Sequence, residues 1–369
     1  MTNVPAGYYL AKDKDGSVTG NDALTLFIVK VVGNEAVTNT RKADKPTFEM
    51  KVKYGNDSTG DKTNWQDSAD YDVNDEVPFQ LTATLPTNEA DFAAYKTYKL
   101  VFHDQQSAGL TFNKKSVVVK YGDKTLGAGS YTITENPEDK DIFDITIADA
   151  KAVKDAEDNA ITVAAGGKFT VEYTSTLNEN AVIGSTGNPN EASLEFSNNP
   201  NVGGEGETGK TPTDKVIVFT YQLDINKTFN GGTPAENDLP KFKLYKFDST
   251  TNDYTIDRGE VTITKTEGGK YTASFKRVDD GKYKLVETKT PAGFNTAADT
   301  LFEITADHDV ESDNPQLTVL KINTTAGNTT TGNTTTGTVT ADVVNQKGSN
   351  LPSTGGMGTV LLYVAGIAV

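Results

Sequence analysis

Apolar residues recur at every second position over most of the chain, in short runs cut by Gly, Asn, Asp and Pro. Such alternation puts successive side chains on opposite faces and marks half-buried strands. It predicts strands over Thr25–Val32, Val77–Leu85, Tyr98–His103, Ser116–Lys120, Phe169–Thr174, Lys215–Ile225 and Lys241–Phe247. Helical spacing is scarce, and Asn88–Tyr95 and Ile147–Lys154 read as single turns or short helices. The expected fold class is all-β, built of sandwich-like domains.

Composition divides this pattern. Residues 34–46 are polar, residues 199–214 form a Gly/Pro/Thr-rich connector, and residues 323–337 are low-complexity and read as a loop. The units expected are 1–43, 44–201, a linker at 202–214, 215–347, and a tail at 348–369. The tail holds LPSTG at Leu351, Pro352, Ser353, Thr354 and Gly355, then an apolar run from Thr359 to Val369. That run is shorter than the roughly 20 residues of a membrane-spanning helix and reads as a cut-off tail. Residues 2–10 after Met1 have neither the basic start nor the apolar run of a secretion signal. The echo between Pro5, Gly7, Tyr8 and Pro291, Gly293, Phe294 suggests that the chain starts inside a domain.

Charge and rare residues narrow the function. Among 369 residues, 35 Lys+Arg face 51 Asp+Glu, a net charge of -16, which argues against nucleic acid or anionic lipid as partners. The absence of Cys excludes disulfides, thiolate metal sites and cysteine nucleophiles. His103 and His308 are the only two histidines, a poor supply for a metal site or a triad, so no metal, no cofactor and no enzyme activity on a substrate is expected. Gly204 to Thr211 satisfies GxxxxGK[ST], but Pro212 follows at once, a strand pattern begins at Lys215, and Glu205 and Glu207 would repel phosphate. It reads as linker. The start of a calcium loop at Asp13, Asp15 and Gly16 lacks the twelfth-position Glu and reads as a turn.

The candidate chemistry lies in how three apolar stripes end. Phe219, Tyr221, Leu223 and Ile225 lead on the same face to Lys227; Tyr283 and Leu285 lead to Glu287; Val339, Ala341 and Val343 lead to Asn345. One such stripe is most simply a strand running out of its core into water. Three within one domain aim a Lys, a Glu and an Asn at one interior, where each alone is costly to bury. Burial disfavours the charged form, so a buried Lys becomes a neutral nucleophile and a buried Glu keeps its proton. Attack of the amine on the carboxamide, with the acid polarising the carbonyl and relaying protons, would expel ammonia and leave an amide cross-link.

Lys227 in DINKT, the segment Tyr283 to Phe294 (YKLVETKTPAGF), Asn345, and LPSTG with its apolar tail resemble the sortase-assembled major (backbone) pilins of Gram-positive bacteria. The resemblance implies tandem immunoglobulin-like, collagen-adhesin-type β-sandwiches. It implies that 1–43 is the remnant of an N-terminal pilin domain, that 215–347 is a collagen-adhesin B-type domain with a Lys227–Asn345 isopeptide bond promoted by Glu287, and that 348–369 is a sorting signal. The implied function is a covalently polymerised shaft subunit, anchored at the cell surface. Its partners would be sortase, neighbouring pilin subunits, peptidoglycan and host surface ligands. Sortase would cleave after Thr354 and join it to a lysine of the next subunit, with Lys42 the candidate acceptor and Lys45 the runner-up. The only chemistry expected of the chain is single-turnover self-modification. The alternative from another class is a wall-anchored adhesin that binds a host glycan or matrix protein.

In the middle domain the stripe Tyr98, Leu100, Phe102 ends in Asp104, and Leu194, Phe196 ends in Asn198. The resemblance places a reactive lysine where this chain has Met50, with Lys51 and Lys53 on the other face. The expectation is therefore that this bond is absent and that Asp104 and Asn198 are hydrogen-bonded but unlinked. A bulge that turns Lys51 inward is the alternative.

Overall fold

The computed structural model describes residues 4–14, 17, 21–33, 43–202, 207–324 and 327–348. Strand dominates, as the period-two pattern predicts. Among the described residues of the first 33, Gly7–Lys12 and Leu26–Val31 form an antiparallel pair.

The middle domain is a sandwich. One sheet runs in the order Lys62–Gln66, Thr47–Gly55, Glu76–Thr84, Lys168–Leu177, Leu110–Tyr121, Lys124–Thr125. The other runs Thr132–Glu135, Ile142–Ile147, Leu100–Gln106, Asn188–Ser197, Asp214–Phe219, Ser68–Asp70, with Thr208–Lys210 also paired to Asn188–Ser197. Their inner faces share one core that includes Phe79, Phe102, Phe143, Phe169 and Phe196. The helical pieces are small, an α-helix at Glu89–Ala94 capped by Asn88 and 3-10 turns at Ala128–Ser130 and Ala150–Ala152.

The C-terminal domain is a second sandwich. A four-stranded sheet (Thr264–Lys265, Tyr271–Val278, Tyr221–Asn230, Thr338–Gln346) faces a six-stranded one (Asp253–Thr262, Lys241–Asp248, Gly281–Lys289, Thr300–His308, Leu317–Thr324, Thr329–Thr331). Its first and last long strands, Tyr221–Asn230 and Thr338–Gln346, lie side by side and parallel.

Two sequence expectations change. The strand expected over Lys215–Ile225 is two strands broken at the buried Thr220. The first, Asp214–Phe219, pairs with the middle domain. Val216 and Val218 enter the middle core while Ile217 and Phe219 enter the C-terminal core. Both faces of this strand are thus apolar because it serves two interiors at once. The stretch 323–337 is not wholly loop either, since Thr329–Thr331 adds an edge strand beside Leu317–Thr324.

Candidate functional site

The three C-terminal stripes meet inside the sandwich. Lys227, Glu287 and Asn345 are 2%, 7% and 0% exposed. Lys227 and Asn345 come from the two parallel strands, in a register that sets Lys227 beside Val343 and Phe229 beside Asn345. Glu287 comes from the facing sheet. Glu287 Oε2 accepts from Asn345 Nδ2 at 2.9 Å and from the backbone N–H of Ala297 at 2.5 Å. Asn345 Nδ2 also donates to the carbonyl of Asn295 at 2.5 Å. The Lys227 ammonium donates to the carbonyls of Thr228 (3.0 Å) and Val343 (3.2 Å), and the Phe229 ring packs against it. Burial pushes the Lys227 pKa down to about 8, against the opposing pull of the Glu287 charge. Glu287 Oε1 and Asn345 Oδ1 are buried without a hydrogen-bond partner.

The turn after Glu287 completes the enclosure. Pro291 accepts from Phe294 N–H, and Gly293 takes a φ of 82°, which a glycine adopts without strain. The chain then runs back across the site, where Asn295 and Ala297 meet Asn345 and Glu287, and Phe294 stacks edge-on against Phe229. These backbone contacts at 295 and 297 were not visible in the sequence. Only the PAGF turn hinted at them.

The middle domain arranges its polar residues differently from the expectation. Asp104 is buried, but its partner is Tyr173, whose hydroxyl donates to Oδ2 at 2.6 Å and accepts from Asn190 Nδ2 at 2.7 Å. Asn198 is buried elsewhere and donates to the carbonyl of Asp22 at 3.2 Å. The expected hydrogen bond between Asp104 and Asn198 is corrected on this point. The strands carrying them are antiparallel, with Phe196 beside Leu100 and Ala192 beside Asp104. Asn198 therefore lies at the opposite end of the sheet, about 20 Å from Asp104 at some 3.4 Å per residue. The amide that reaches the Asp104 end opens its strand rather than following it. Met50 is fully buried in the core. Lys51 is on the other face, paired with Asp67 at 2.5 Å and Glu49 at 3.4 Å, and the Thr47–Val52 register has no bulge that would turn it inward.

A second buried lysine escaped the sequence reading. Lys246 follows Phe242 and Leu244 on one face and lies fully enclosed where the two domains meet. It donates to Asp57 and Asp72 of the middle domain at 2.9 Å each, and to Asp279 of its own. Arg258 joins the group 3.1 Å from Asp72, and Asp75 lies within the same carboxylate cluster. Burial alone would push the Lys246 pKa down, but Asp279 and Asp72 outweigh it and hold the ammonium charged. The rule that found Lys227, an apolar stripe ending in Lys, would also have found Lys246.

Of the remaining candidates, Lys45 is half-exposed and paired with Asp22 at 3.1 Å. Lys42 and residues 351–355 lie outside the described residues. Thr208–Lys210, inside the P-loop-like motif, is a strand where a phosphate site needs a helix start. Among the described residues no helix is long and apolar enough to cross a membrane.

Comparison with known proteins agrees with this architecture. Residues 239–316 match the SpaA prealbumin-like fold domain. The chain is 29% identical over 284 residues to the trypsin-resistant surface T6 protein of Streptococcus pyogenes serotype M6, covering 73% of this chain. It spans about half the length of that relative, 47%. Among solved structures, the T6 backbone pilin of the same serotype superposes with a TM-score of 0.56 at 19% identity, over 94% of this chain and 82% of that one. The full-length major pilin SpaD of Corynebacterium diphtheriae gives 0.50 at 19% identity, over 93% and 80%. The chain is thus similar in sequence to a streptococcal surface protein and in fold to backbone pilins of Gram-positive bacteria.

Proposed function

We propose that this chain is a shaft subunit of a covalently joined cell-surface pilus, and that its C-terminal domain is closed by an isopeptide bond between Lys227 and Asn345. The observation that carries the reading is the enclosed meeting of Lys227, Glu287 and Asn345. The amine has its pKa lowered to about 8. The carboxamide nitrogen is held by Glu287 and Asn295. In the step proposed, Lys227 Nζ attacks Asn345 Cγ and the Cγ–Nδ2 bond breaks. Glu287 relays a proton from the amine to the departing nitrogen, which leaves as ammonia. Positioning in a dry interior supplies the main acceleration.

The bond would close a span of 118 residues. By analogy with a disulfide, that constraint on the unfolded chain is worth about 4–5 kcal/mol. Its mechanical effect is larger. Lys227 and Asn345 lie near the same end of the domain's first and last strands. Tension would pass from residue 227 to residue 345 and bypass everything between them. This suits a shaft more than an adhesin, whose function lies in a binding surface.

Assembly follows the same reading. Sortase would cleave LPSTG between Thr354 and Gly355 and join Thr354 to Lys42, or to Lys45, of the next subunit. The final subunit would pass to peptidoglycan. Incubation of the chain with a pilin-class sortase tests this. A ladder of covalent oligomers is expected, lost in Thr354→Ala and in Lys42→Ala. A ladder that survives Lys42→Ala and is lost in Lys45→Ala moves the acceptor to Lys45. No ladder with the intact chain argues for the adhesin.

A further inference from the structure

The middle domain holds a line of polar side chains between its two sheets. Asp104 and Gln106 come from Leu100–Gln106, Tyr173 and Ser175 from Lys168–Leu177 of the opposite sheet, and Asn190 from Asn188–Ser197. None is more than 5% exposed. Asp104 with Tyr173 and Gln106 with Ser175 form two rungs, two residues apart on both strands, that cross from sheet to sheet.

The second rung has an unusual geometry. Ser175 Oγ lies 2.7 Å from Nε2 and 3.1 Å from Oε1 of the same Gln106 carboxamide. The two amide atoms diverge from their carbon, so one hydroxyl cannot make a well-aligned hydrogen bond to each. With ordinary C–N and C=O lengths, an atom at those two distances lies no more than about 3.3 Å from the carboxamide carbon. That is the separation of a near-attack arrangement. Whichever way the amide is turned, the hydroxyl oxygen stays within that distance of its carbon.

We infer that Ser175 and Gln106 form an ester cross-link between the two sheets of the middle domain. In the step, Ser175 Oγ attacks Gln106 Cδ. The Oγ–Cδ bond forms, the Cδ–Nε2 bond breaks, the hydroxyl proton passes to the departing nitrogen, and ammonia leaves. No oxidant, metal or second substrate is required. The other three polar groups supply the proton path. The Tyr173 hydroxyl is hydrogen-bonded to Asp104 and Asn190, and the Gln106 carboxamide lies beside it. Burial pushes the Asp104 pKa up to about 8, against the hydrogen bonds from Tyr173 and Asn190, so this carboxyl carries a proton at neutral pH. It can lend that proton through Tyr173 and recover it. Asp104 Oδ1 and Asn190 Oδ1, both without a hydrogen-bond partner, leave spare capacity in the path. Phe79, Phe112 and Phe143 pack on the Tyr173 ring and keep out the water that would hydrolyse an ester. A domain with Met50 in place of a reactive lysine thus carries a staple that needs no amine.

Peptide mapping of the whole purified chain by mass spectrometry tests this directly. The peptides holding Gln106 and Ser175 are expected as one linked species, lighter than their sum by one ammonia. Hydroxylamine at mild alkaline pH is expected to part them and leave a hydroxamate at Gln106, while an amide link between Lys227 and Asn345 survives. Lys227→Ala should leave the middle-domain link intact, and Ser175→Ala should remove it alone. Recovery of both peptides unlinked and at full mass from folded protein overturns the inference. So does a linked species that hydroxylamine does not open.

Discussion

Two lysines of the C-terminal domain are buried, and their surroundings give them opposite characters. Lys227 meets backbone carbonyls, an aromatic ring and the influence of one carboxyl group, and its pKa falls to about 8. Lys246 meets Asp57, Asp72 and Asp279, and its pKa rises. Desolvation acts on both in the same direction, so the number of facing carboxylates decides the outcome. A buried lysine left short of negative charge becomes a nucleophile. One given an excess becomes a fixed cation, here tying one domain to the other. Burial alone identifies neither role.

The comparison breaks most sharply at Lys227. Lys227→Ala is expected to restore the ammonia mass of the C-terminal domain and to lower unfolding stability by about 4–5 kcal/mol, the loop-closure value. Intact mass and denaturant unfolding measure the two effects. An unchanged mass deficit in the peptides around Asn345 would remove Lys227 from the chemistry.

Lys246→Met should cost about 3–5 kcal/mol, because three carboxylates are left facing no ammonium. Apart from the substitution itself, it should leave the number of ammonia losses unchanged. Limited proteolysis is expected to cut first near residues 57–75 and 279–280, where the domains touch. A regained ammonia in this variant would mean that Lys246 also forms a covalent bond.

The smallest effect is one of rate. The attacking amine must be neutral, and its neutral fraction falls about tenfold per pH unit below its pKa, roughly 1.4 kcal/mol per unit. Bond formation in chain refolded from an unfolded, unlinked state should therefore speed up from pH 6 towards pH 8. It should gain little from further neutral amine above that. The linkage has the matching sign. The unfolded lysine binds its proton more tightly than the buried one, so the unlinked domain gains stability as pH rises from about 8 towards the ordinary lysine value. A rate independent of pH between 6 and 8 would show that deprotonation of Lys227 does not control the reaction.

The sequence revealed faces more readily than partners. Alternation alone placed Lys227, Glu287 and Asn345 indoors, and their meeting follows because three stripes of one domain share one core. The same alternation put Asp104 and Asn198 indoors and then misled, because antiparallel register sends Asn198 to the far end of the sheet and brings Asn190 near. Register is set by long-range pairing, which a period cannot express. Lys246 follows the rule that singled out Lys227, but its three carboxylates come from 33 to 189 positions away in the chain. The break at Thr220 was hidden because apolar residues occupy both faces of Asp214–Phe219, and only a second core explains that.

That shared strand has a consequence for elasticity. Because Val218 and Phe219 are adjacent residues seated in different interiors, neither sandwich can swivel without dragging side chains out of the other. A filament made of such units would flex at the joints between subunits, while each length from residue 47 to residue 346 moved as a stiff segment.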